Sequence, residues 1–340
     1  MFENKSADLR YSADELKGLD LSALFNLFFE ETWSRLDAGS RCACLQEVEN
    51  RYAAACGRPP ILVGMDDDPD DTDSLGGYTH ALRRIVLNQH FFTGDGLDNT
   101  FNGMSALETI IHEGRHAFQS HLKDHRPEGD AMLVLKEWLS SDRVYFCPRN
   151  GMNYQELIIH SLIYPVQSIE MDARRFARTE LEAIRIDRET RGLSTDELDR
   201  HLGGLMLREL TVIKSLRETA SDVLLDQIES EILNVMRVLP DYGSLDLRDF
   251  HPLDTARFLF HASCGANDDQ LEDLVTMVDL LETLKLDGLI DVGLMELLPD
   301  FRIDQVAEIN RRLNALREAK TLNQLQEQKV DVLQLFRSVG

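Results

Sequence analysis

Ser105-Ala-Leu-Glu108-Thr-Ile-Ile111-His112-Glu113-Gly114-Arg115-His116-Ala-Phe118-Gln119-Ser-His-Leu122 carries the pattern HExxH within a stretch of helical periodicity. Leu107, Ile111, Phe118 and Leu122 form an apolar stripe, and Gly114 fills the remaining position of that face. Residues four apart on a helix share a face, so His112 and His116 can present two imidazoles to one metal ion. Glu113 lies one residue on, about 100° around the axis. That is too far round to join the same chelate, yet near enough to reach a water at the metal's open position. A general base in metal-assisted hydrolysis needs that placement. Ser105-x-x-Glu108 reads as a capping box opening the helix. Glycine in a helix interior costs about 1 kcal/mol relative to alanine, and a close neighbour at Gly114 would account for it.

A zinc site needs a third protein ligand and one open position. Gln119 and Leu122 stand where the metzincin pattern has Gly and His, and His121 and His125 fall off that register. Tyr164-Pro165-Val-Gln-Ser168-Ile-Glu170-Met-Asp172-Ala173-Arg-Arg-Phe176-Ala177 supplies the better candidate. Pro165 suits a helix start and Ser168 a cap, which puts Glu170 in the first turn. Ala173 and Ala177 follow on nearly the same face, small enough for this helix to approach the HExxH helix closely.

HExxH followed by a Glu on a later helix resembles the gluzincin metallopeptidases of the zincin superfamily. The string ExDARRFA resembles the Glu-ligand helix of ImmA/IrrE-type metallopeptidases. The resemblance implies one zinc ion per chain, held by His112, His116 and Glu170, with Glu113 as base and proton shuttle. It also implies an edge strand before the metal helix that pairs with extended substrate. Arg84-Ile-Val-Leu-Asn88 is placed to be that strand, which makes Asn88 a candidate substrate-binding residue. Glu170 has a second reading, a carboxylate stabilised by the helix dipole. Asp172 is either a carboxylate orienting a ligand histidine or a surface charge. Zincins add a Tyr or His donor for the developing oxyanion; Tyr164 is the first candidate, with Tyr154 and His160 in the same segment. A structural Tyr at the helix entry is the alternative. His80 and His90 read as exposed or strand-end residues, and Arg115 as one half of a structural ion pair. Cys147 and His160 suggest a thiol hydrolase by sequence proximity alone, and no GxSxG elbow is present.

Upstream, helical spacing predicts one helix over 13–36 and another over about 41–56, ending at Gly57. Ile61-Leu-Val63 reads as a short buried strand, and residues 78–88 as one strand or two. Between them, DDDPDDTDSLGG (66–77) lacks the ligand spacing of an EF-hand and reads as a solvated acidic loop. Residues 92–104 are a Gly/Asn/Asp-rich loop. Downstream the pattern is helical, broken at 126–130, 141–153 and Pro165, and it resumes at a capping box, Ser194-x-x-Glu197. The last helix, 303–337, reads as ordinary helix packing, with a coiled-coil partner site as the alternative. Arg191-Gly-Leu-Ser-Thr195 divides the chain. The expected fold class is α+β, mostly helical: a zincin-like metallopeptidase domain with a small sheet at 1–190, then an α-helical accessory domain at 191–340.

Composition narrows the function. Sixty acidic residues against 36 basic ones give a net charge of −24, a field that repels phosphate backbones and anionic lipid. Nucleic acid and membrane are therefore not expected partners, and no apolar run approaches the roughly 18 residues that span a bilayer. Five cysteines without a CxxC pair read as reduced thiols. With no apolar core of a secretory signal near Met1, the expected location is the cytoplasm, or export without a classical signal. The expectation is a zinc metalloendopeptidase acting on a protein or peptide substrate, of narrow specificity, such as an effector or toxin protease. Two readings stand beside it: a non-enzymatic helical interaction protein with a structural or absent metal site, and another zinc amidohydrolase. Oligomeric state is open.

Overall fold

A computed structural model of the chain describes residues 9–66, 74–93, 99–125, 138, 145–148, 151–237, 253–290, 292–323 and 332–339. Three short helices open it: α1 (Ala13–Lys17), α2 (Leu21–Asn26) and α3 (Glu30–Trp33). The single helix expected over 13–36 is thus broken by its own caps. Ser12 and Glu15 close a capping box on α1, which ends at Gly18, and the Asp20 side chain restarts the helix by accepting from Ala23 N. α4 (Ala38–Ala55) begins earlier than the spacing predicts because Asp37 caps it, accepting from Ser40 N at 2.8 Å.

The sheet has three strands, β1 (Leu62–Asp66), β2 (Gly76–Thr79) and β3 (Arg84–Asn88), in the order β1-β3-β2. β1 runs parallel to β3 (Val63 opposite Ile85), and β2 antiparallel to it (Tyr78 opposite Ile85). The 78–88 stretch is therefore a hairpin, turning through Arg83 at φ +47°. This order overturns the expectation for 84–88. β3 is the central strand, with both edges paired, so it cannot receive a substrate strand. Asn88 is buried; its Nδ2 donates to Ser74 O at 2.8 Å and its Oδ1 accepts from His90 N at 3.0 Å. It ties the strand end to its neighbours, and the substrate-binding role proposed for it is corrected accordingly. Of the acidic loop, residues 67–73 lie outside the described residues.

α5 (His90–Thr93) follows, and α6 (Gly103–His125) carries HExxH. Its cap is Asn102, whose Oδ1 accepts from Ser105 N at 2.9 Å, so the predicted Ser105/Glu108 box does not form. Glu108 instead meets His201 Nε2 at 2.9 Å. Gly103 allows the helix start to approach a neighbouring backbone: a Cβ there would lie 2.0 Å from Phe28 O. Then come α7 (Tyr154–Ile163), a 3-10 turn at 164–166, α8 (Ser168–Thr190), α9 (Asp196–Thr219) and α10 (Asp222–Arg237). Ser194 caps α9 weakly at 3.4 Å, while Glu197 is drawn away to accept from Glu30 N at 3.1 Å. α11 (Asp254–Ala262), α12 (Asp268–Leu286), α13 (Leu294–Leu297), α14 (Val306–Asn323) and α15 (Val332–Val339) complete the chain. The helix expected over 303–337 is thus seen as a 3-10 turn at 303–305 followed by α14 and α15; residues 324–331 lie outside the described residues.

The chain forms two compact units, residues 1–124 with 173–205, and residues 125–172 with 206–340. The chain crosses between the units near 124, 172 and 205, each time inside or at the end of a helix. The turn at 191–195 joins α8 to α9 within the first unit. That unit packs Leu24, Phe28, Trp33, Leu45, Ile85, Leu107, Ile111, Ala177 and Leu181 into one core. The second unit has helices and no strand among the described residues, packed around Leu162, Ile213, Leu216, Phe258, Met277, Leu281, Leu313 and Phe336. Among the described residues no helix is long and apolar enough to cross a membrane.

Candidate metal centre

On α6, His112 and His116 stand one turn apart, their rings edge to face with centroids 4.7 Å apart. The two Nε2 atoms are 3.1 Å apart. Glu170 sits in the first turn of α8, a helix whose body from Ala173 onward belongs to the first unit. One donor atom from each of His112, His116 and Glu170 falls within 4.8 Å of the others. Among the described residues, this is the group of His, Cys, Asp or Glu that can hold a metal ion. Tetrahedral zinc bonds of about 2.0–2.1 Å place ligand atoms about 3.3 Å apart, so the two imidazoles need almost no movement to share one ion. Two nitrogens and a carboxylate suit a divalent ion of zinc's kind. No cysteine belongs to that group among the described residues, and burial pushes the Cys44 thiol up to about 12.

Glu113 is buried, with its Oε1 4.0 Å from His112 Nε2. It stands beside the His112–His116 pair, offset by about 100° around the helix axis from His112. Behind His116, Nδ1 lies 2.8 Å from Gln119 Oε1. Arg115 places its guanidinium 4.7 Å from the ring centroids of both Phe118 and Phe176, which packs α6 on α8 within the first unit.

Gly114 has the close neighbour its presence calls for. Arg58 and Glu49 form a bidentate pair, Nη1–Oε1 and Nη2–Oε2 both 2.7 Å, with side chains 2% and 0% exposed. Arg58 Nη2 also donates to Gly114 O at 3.1 Å. A Cβ at Gly114 would lie 3.1 Å from Glu49 Oε2 and 3.4 Å from Arg58 Nη2. The pair is held at both ends and cannot retreat. Gly114→Ala should therefore lower stability by about 1–2 kcal/mol despite its gain in helix propensity. Urea unfolding reads this directly; a more stable variant would contradict the packing argument.

Tyr145 is the residue that sequence reasoning missed. Its hydroxyl donates to Glu170 Oε1 at 2.5 Å. Burial and the adjacent Glu170 charge push the phenol upward, so it remains a donor. Gln167 holds the segment in place, accepting from Phe146 N at 3.0 Å and donating to Phe146 O at 2.9 Å. Tyr164 packs its ring edge-on against Tyr145, centroids 5.8 Å apart. Tyr145 thus contacts Glu170 directly, and Tyr164 packs against Tyr145. Tyr154 is exposed, and His160 Nδ1 lies 3.0 Å from both the main-chain N and O of Cys147. That is a main-chain contact, not the thiol–imidazole pair of a cysteine hydrolase. Asp172 is buried, which removes the surface-charge reading. His80 is exposed, 4.0 Å from Asp124, and the His90 ring packs on Phe101.

Comparison of the chain with protein-family models, with curated proteins and with solved structures returns no match.

Proposed function

We propose that the chain is a zinc-dependent metallopeptidase of the zincin type, hydrolysing peptide bonds of a protein substrate. The observation that carries this reading is the convergence of His112, His116 and Glu170 with Glu113 beside them. His112, His116 and Glu170 would hold the zinc, which when bound would supply Lewis acidity toward a carbonyl and water. Glu113 takes the proton of the attacking water and delivers it to the leaving amine. The Tyr145 hydroxyl holds one oxygen of Glu170 in the resting chain, and it would serve the developing oxyanion by turning its single proton away from that oxygen. An extended peptide would pair with the outer edge of β2, a terminal strand of the sheet among the described residues, which packs closely enough on α6 that a Cβ at Gly76 would lie 3.2 Å from Thr109 Cγ2.

The test is a proteome-wide comparison of new N-termini produced by the native chain and by Glu113→Gln. New termini that appear with the native chain alone are expected; identical sets from both, or none from either, would refute the reading. Tyr145→Phe should lower kcat by about 10²-fold with zinc content unchanged. An unaffected kcat would remove Tyr145 from the chemistry.

A further inference from the structure

We infer that Gln119 fixes His116 in one tautomer and, as a neutral acceptor, limits how tightly the centre holds its metal. The inference rests on the metal-centre reading above. Gln119 follows His116 by three residues on α6, a neighbour on the helix surface. Its side chain is 0% exposed, and its Oε1 lies 2.8 Å from His116 Nδ1. An amide oxygen only accepts, so Nδ1 carries the proton and the lone pair of the neutral ring is on Nε2. Nε2 is also the atom 3.1 Å from His112 Nε2, on the side where the donor atoms converge. The buried amide therefore presents the metal-binding nitrogen before any ion arrives.

A carboxylate in that place would hold the same tautomer and also strengthen the imidazole as a donor. The amide orients the ring without that gain. An apolar side chain would do neither, leaving the ring free to take the other tautomer, whose protonated Nε2 cannot bind metal. Gln119 is thus a positioning residue, and the chain holds zinc less tightly than a carboxylate-backed version would.

Two measurements test this, and neither depends on peptidase activity. The first is a long-range 1H–15N spectrum of the native chain, labelled with 15N-histidine and treated with chelator. A His116 protonated at Nδ1 is expected; protonation at Nε2 would overturn the inference. The second is zinc affinity by competition with a chromogenic chelator, with zinc alone as the probe. Gln119→Leu should raise Kd by about 10–100-fold, and Gln119→Glu should bring it below the native value. A Kd for Gln119→Leu within twofold of native, or a looser Gln119→Glu, would overturn it. His112→Ala serves as the control. Zinc lost in His112→Ala but unchanged in Gln119→Leu sinks this inference alone, whereas zinc unchanged in His112→Ala sinks the metal centre as well.

Discussion

On the proposed function, Glu113→Gln should retain zinc and lose peptide hydrolysis by about 10²- to 10⁴-fold. The substitution preserves shape and removes only the basic oxygen. Glu113 lies outside the chelate, 4.0 Å from the nearer imidazole nitrogen, so the amide should leave the ligand set as it is. What it cannot do is accept the proton of the attacking water or return one to the leaving amine. Zinc content and kcat/KM measured on one sample separate the two roles. Loss of zinc along with activity would make Glu113 a ligand, and full activity would remove it from the proton path.

Glu49→Ala should destabilise the chain by about 3–5 kcal/mol, because it leaves the Arg58 guanidinium buried without its counter-charge. The exposure of that side chain is 2%, and its Nε has no partner even in the native chain. Glu49 also accepts from Ile61 N at 2.7 Å, so the entry to β1 loses an acceptor as well. Removing both charges with Glu49→Leu and Arg58→Met should recover most of the loss, since the expense lies in the orphaned ion. Urea unfolding measures both. A cost below about 1 kcal/mol for Glu49→Ala would show that solvent reaches the pair and that it behaves as a surface ion pair.

What the residues disclose follows from how local each signal is. His112, Glu113 and His116 are legible because helix geometry alone places two imidazoles on one face and a carboxylate beside it. Glu170 needed the additional cue of Pro165 and Ser168; it does lie in the first turn of α8, although Ser168 is that helix's first residue and not its cap, and Pro165 belongs to the preceding 3-10 turn. The position of β3 in the sheet was not legible, because strand order depends on pairing between distant segments. Ile85 and Leu87, both fully buried, fit a central strand as well as an edge. Tyr145 lies in an irregular segment with no periodicity, and its role arises only from the Gln167 side chain gripping Phe146. The crossings between units leave no local mark in the sequence. Crossings within continuous helices carry none of the Gly, Pro or Ser clusters that mark a linker.

The most direct test is the zinc content of purified native chain and Glu170→Ala, measured by elemental analysis with folding checked by circular dichroism. The account predicts about one zinc per native chain and a large loss in the folded variant. A zinc-free native chain, or a Glu170→Ala variant that keeps its full zinc, would contradict it.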